Sequence, residues 1–69
     1  MEYRAFLTLT VEDRMALNMH GFDFDTKEAG EVRYDWIQRL GEVSGMPAQL
    51  KAIDPDTLAP SLAAKIAAL

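Results

Sequence analysis

The stretch Ser44-Gly-Met-Pro-Ala-Gln-Leu-Lys-Ala-Ile-Asp-Pro-Asp-Thr-Leu-Ala59 carries most of the strong helix stop and start signals in a chain of 69 residues. Pro47 suits a first helical position, where its missing N–H is not needed. A short helix over 47–52 would turn Leu50 and Ile53 inward. Asp54-Pro55 repeats the cap-plus-proline pattern. With Thr57 as the cap of a last helix, Pro60 falls in the first turn and breaks no hydrogen bond. Leu58, Leu62, Ile66 and Leu69 then make one apolar stripe backed by alanines.

Upstream of Ser44-Gly45, helical spacing runs back through Val43, Leu40, Ile37, Trp36, Val32 and Ala29. Asp25 or Thr26 is placed to cap this segment, with Glu28 as the box partner of Asp25. The spacing predicts a long helix over 27–43, with Gly30 inside it costing about 1 kcal/mol relative to alanine. Thr10-Val11-Glu12-Asp13 has a hydroxyl followed three residues on by a carboxylate, a variant capping box. Val11, Met15, Ala16 and Met19 then predict a helix over 11–20, closed by Gly21.

Glu2 to Leu9 alternates instead. Tyr3, Ala5, Leu7 and Leu9 point one way, and Arg4, Phe6, Thr8 and Thr10 the other. A lone strand leaves its ladder groups unpaired. The segment therefore either pairs with a second copy of itself or lies as an extended arm on the helices. The expected fold is mainly α: a single domain over 1–69, with a strand or arm at 1–10 followed by three to four helices at 11–69 in a small helical bundle.

A domain this small has a marginal core. The chain has no cysteine and a single histidine, which removes disulfides, thiolate zinc sites and imidazole clusters from the available supplements. Association is what remains, and a homodimer is expected. Seven basic residues against eleven acidic ones give a net charge of −4. The basic residues are scattered, and that balance disfavours nucleic acid. No apolar run reaches the roughly 20 residues needed to span a bilayer. The N-terminus lacks a secretory pattern, so no membrane role and a cytoplasmic site are expected.

Candidate chemistry is sparse. His20 sits where a helix end suits an imidazole, and Ser44 and Ser61 are explained by helix ends, so no catalytic set, no metal site, no cofactor and no enzyme activity are expected. Asp23 to Glu28 resembles an EF-hand start, but Lys27 stands at the fifth position and Glu28 at the sixth, where an oxygen ligand and a glycine are required. Residues 38–53 have the outline of a helix-turn-helix, yet Pro47–Ala52 offers only Gln49 and Lys51 to a nucleic acid. Trp36 is expected in the core. Phe22 and Phe24, set among carboxylates, either close the core or supply a protein-binding surface. The expected partner-binding set is Phe22, Asp23, Phe24, Asp25, Glu31, Tyr34 and Asp35.

The run Leu9-Thr-Val-Glu-Asp-Arg-Met-Ala-Leu17, with Ile37-Gln-Arg-Leu-Gly-Glu-Val-Ser-Gly-Met-Pro47 and then Leu50, Ile53-Asp54 and Leu58, is similar to the small tail assembly chaperones of Mu-like phages. The resemblance implies a phage origin, action in the host bacterial cytoplasm, and a helix break followed by a proline-started turn. The chain is thus expected to be a non-enzymatic interaction protein that masks or inhibits a larger protein, either a tail protein or a host protein. The competing expectation is a small dimeric transcriptional regulator that binds DNA.

Overall fold

In the computed structural model, which describes residues 1–42 and 44–69, the chain is α+β. Strand β1 spans Glu2–Leu9, helix α1 Val11–Asn18, strand β2 Val32–Arg39, helix α2 Gly45–Lys51 and helix α3 Pro60–Ala67. A single 3₁₀ turn, Pro55–Thr57, joins α2 to α3. The two strands form one antiparallel sheet, with Glu2 opposite Arg39 and Leu9 opposite Val32. The expected mainly-α helical bundle is therefore wrong, and so is the helix over 27–43. Val43, counted in that stripe, lies outside the described residues.

The error has a physical cause. Val32-Arg-Tyr-Asp-Trp-Ile-Gln-Arg39 satisfies two periods at once. Read at 3.6 it offers Val32, Trp36 and Ile37, and read at 2 it offers Val32, Tyr34, Trp36 and Gln38. The second period governs, because those four are half-buried while Arg33, Asp35, Ile37 and Arg39 face solvent. Valine, tyrosine, tryptophan and isoleucine also suit a pleated surface better than a helix. Gly30 and Gly41 bracket the strand with φ of +79° and +81°, a conformation in which other residues are strained. The partner that β1 needs is therefore inside the same chain.

The face formed by Leu7 and Leu9 of β1 and Tyr34 and Trp36 of β2 rests on the helices. Leu17 of α1, Leu50 of α2, and Leu62 and Ile66 of α3 complete the buried cluster. Burial fades along the sheet: Leu9 is sealed, whereas Tyr3 and Leu40, at the other end, are exposed. The sheet overhangs its helices at that end.

Helix α1 has the expected capping box, with the Asp13 amide donating to Thr10 Oγ1 and the Thr10 amide donating to Asp13 Oδ2, both at 3.1 Å. Its buried face differs from expectation. Met15 and Met19 are exposed, and Asp13, Arg14 and Leu17 are buried instead. Leu50 and Leu62 are buried as expected, while Thr57 caps no helix: its hydroxyl donates to the Asp54 carbonyl, and Ala59 precedes α3.

Candidate functional site

Two side chains one turn apart on α1 hold the connection from α1 to β2. Arg14 is fully buried. Its Nε donates to the Thr10 carbonyl at 3.2 Å, Nη1 to the Asp25 carbonyl at 2.6 Å, and Nη2 to the carbonyls of Glu28 and Gly30 at 2.9 and 2.7 Å. The planar fork of an arginine suits this divergent set of acceptors. Asn18 adds a two-way clamp, its Nδ2 donating to the Phe24 carbonyl and its Oδ1 accepting from the Phe24 amide. A loop read as the start of a helix is thus a tethered strap. The conspicuous cation that holds it, Arg14, is committed to structure.

The strap brings three of the expected partner-binding residues together. Phe22 and Phe24 stack at 5.7 Å, and Phe24 meets Tyr34 edge-on at 5.1 Å. All three are half-buried against the core, the arrangement that aromatic quadrupoles favour. Asp23, Asp25 and Glu31 lie exposed on the strap, and the Asp25 carboxylate accepts from the Lys27 amide at 2.8 Å. Asp35 stands apart from this group, on the outer face of the sheet.

That outer face is the most distinctive surface among the described residues. Glu2, Arg4, Phe6 and Thr8 of β1 share it with Arg33, Asp35, Ile37 and Arg39 of β2. Phe6 is 54% and Ile37 72% exposed. The Arg33 guanidinium lies over the Phe6 ring at 4.1 Å, within cation–π range. Asp35 holds Arg33 at 2.9 Å and Arg4 at 3.3 Å. The hydrogen bond from Arg33, with Arg4 adding to it, holds the Asp35 carboxyl below the ordinary carboxylate value. Arg39 makes no side-chain hydrogen bond or ion pair among the described residues.

This face was visible in the alternation of β1 but lost its other half to the helical reading of β2. It has an apolar centre, Phe6 and Ile37, framed by arginines and one carboxylate. Among the described residues no group of three or more histidine and acidic side chains is close enough to hold a metal, and no helix is long and apolar enough to cross a membrane. Comparison with protein families, with curated proteins and with solved structures finds no match to this chain.

Proposed function

We propose that the protein is a non-enzymatic interaction module that binds a larger protein through the outer face of its sheet and masks or inhibits it. The observation that carries this reading is the exposure of Phe6 and Ile37 at the centre of a face that no element among the described residues covers. An aromatic and a branched aliphatic side chain framed by arginines are the residue types that supply binding hot spots. The resemblance to Mu-like tail assembly chaperones supports a phage origin and action in the host cytoplasm. The acidic strap residues Asp23, Asp25 and Glu31 belong to the same reading as a second, polar contact area.

The test compares affinity capture by the wild-type chain and by a Phe6→Ser/Ile37→Ser variant in infected cells. A phage structural protein recovered by the wild type and lost by the variant identifies a chaperone, and a host protein with the same behaviour identifies an inhibitor. Equal recovery by both chains, or by neither, sinks the reading.

One observation favours a second reading. Arg4, Arg33 and Arg39 share the face of a two-stranded ribbon, an element that some regulators lay in a DNA groove. Asp35 occupies two of the three arginines, and the net charge of −4 opposes phosphate binding. A gel shift at low salt that stays flat removes the DNA reading.

A further inference from the structure

A two-stranded sheet has two free edges, and here they differ. The Leu40 amide donates to the Met1 carbonyl at 2.9 Å, extending the ladder by one pair beyond Glu2 and Arg39. Bonded pairs alternate in an antiparallel ladder, so the odd-numbered residues of β1 direct their N–H and C=O groups to β2. Those of Glu2, Arg4, Phe6 and Thr8 point outward. No hydrogen bond among the described residues uses them. On the β2 edge the Arg39 carbonyl accepts from the Glu42 amide, and Ser44 to Pro47 line a cavity with Arg33 to Arg39.

An open apolar groove of about 430 Å³ runs along the β1 edge from Tyr3 to Thr8, walled on its far side by Lys65, Ala68 and Leu69 of the last helix and its end. We infer that this edge pairs with the same edge of a second copy about a two-fold axis, giving a four-stranded antiparallel sheet with the two α3 helices side by side beneath it. The inference does not rest on the function proposed above, because the pairing uses main-chain groups of the edge, although it sets the outer-face side chains of Arg4, Phe6 and Thr8 along the seam.

Three observations select a second copy as the occupant. First, the edge is self-complementary. A two-fold pairing sets one residue opposite its own copy and residues equidistant from it opposite each other, and an axis at Arg4 is excluded by like charges in opposition. An axis at Ala5 sets Arg4 opposite Phe6 of the partner subunit. An axis at Phe6 sets Arg4 opposite the partner's Thr8. Either keeps seven residues paired with no charge clash.

Second, the helix beneath the edge is built for close approach. Adjacent strands lie about 4.8 Å apart, whereas packed helices need about 8–10 Å, with the lower figure open only to small side chains. The exposed residues of α3 and its end are Pro60, Ser61, Ala64, Ala67 and Ala68, of which the small Ala68 walls the groove. The helix's one cation facing the groove, Lys65, is already neutralised by Asp13 at 2.8 Å.

Third, the edge is long enough. A seven-residue strand extends about 23 Å, and with the helix layer below it buries on the order of 500 Å² per copy, at the lower end of specific interfaces. The edge is uncapped by proline, bulge or covering loop, the usual devices that keep a monomer's edge from pairing.

The experiment is light scattering on the intact chain at hundreds of micromolar, with circular dichroism on every variant. The wild type is expected at twice the monomer mass. Ala68→Lys, at an exposed position that walls the groove, sets a charge against its own copy. Thr8→Pro removes an N–H that the β1–β2 ladder does not use. Both variants are expected to halve the mass while leaving the dichroism spectrum unchanged, and Gln49→Lys, on an exposed position away from the edge, is expected to stay dimeric. A wild-type monomer at that concentration, or a dimer that either Ala68→Lys or Thr8→Pro leaves intact, overturns the inference. Neither result bears on partner capture by Phe6 and Ile37.

Discussion

Lys65 of α3 donates from Nζ to Oδ2 of Asp13 at 2.8 Å, the same oxygen that accepts from the Thr10 amide. One carboxylate thus closes the first turn of α1 and ties the last helix to it across the whole chain. Burial pushes this carboxyl up, but the bonds from Lys65 and from the Thr10 amide and hydroxyl outweigh it and hold the group below its ordinary value of 3.8.

The sign of the pH dependence follows. A carboxyl with a depressed value in the folded state stabilises the protein at pH above its unfolded value, and that contribution is lost as pH falls through the folded value. Lys65→Met is therefore expected to cost about 0.5–1.5 kcal/mol at neutral pH, with the cost shrinking as pH falls through the folded value of Asp13, which lies below 3.8. Urea melts of both chains at pH 7 and at about pH 2.5 check this. A penalty equal at the two pH values would show that the ion pair contributes nothing.

Among the described residues Arg14 has no carboxylate partner; four carbonyls surround its guanidinium instead. Removing the side chain leaves those acceptors facing a cavity. Arg14→Met is expected to destabilise the fold by about 3 kcal/mol or more, since a buried network that loses its hub pays the desolvation of every group left over. Arg14→Lys is expected to rescue little, because an ammonium is a point donor and cannot reach carbonyls spread from Thr10 to Gly30. Limited proteolysis is the second readout, with both variants expected to be cut between residues 25 and 31 before the rest of the chain.

The strap and β2 show where the sequence was legible and where it was not. Signals that act within four residues were readable: the Thr10–Asp13 box, the alternation of β1, and the buried Leu50 and Leu62 of the helices that follow Ser44. Arg14 gave no local sign of its role, because three of its four acceptors lie eleven to sixteen residues away and all four are backbone atoms, which carry no sequence identity. Segment 32–39 was misread for a different reason. Its apolar residues fit both periods, and the choice between them is made by β1, which needs a ladder partner. Tertiary demand overrode local spacing. Half of the outer-face site was lost with it, since Ile37 counts as core on a helix and as surface on this strand.

A strand in this register makes the two faces of β1 energetically unequal. Leu7 lies on the inner face and is buried; its neighbour Phe6, larger and more apolar in area, is on the outer face. Leu7→Ala is expected to cost about 2–5 kcal/mol, and Phe6→Ser only about 1 kcal/mol, from a half-exposed ring and its Arg33 contact. A scan of single substitutions along residues 4–9 and 33–38, read by thermal melts, should alternate in cost with a period of two on both strands. A period near four over 33–38 would return that segment to a helix.

Trp36 tests how far the overhang of the sheet reaches. On a helix in the centre of a bundle its deletion would cost about 3–5 kcal/mol and unfold a domain of this size. On β2 it stands opposite Ala5, half-buried, with its Nε1 donating to Gln38 Oε1 at 3.0 Å along the same face. Ala5 supplies little cross-strand contact, and the burial of the sheet is already fading at this pair. Trp36→Ala is accordingly expected to lose about 1.5–3 kcal/mol, the transfer term of a partly exposed ring. It should melt cooperatively at room temperature and above, and remain more stable than Leu62→Ala, whose side chain is sealed against the sheet. Denaturant titration of the two variants decides the order. If Trp36→Ala proved the weaker fold, the ring would be a central support of the core, and the sheet would be held by its helices as far as the Ala5–Trp36 pair.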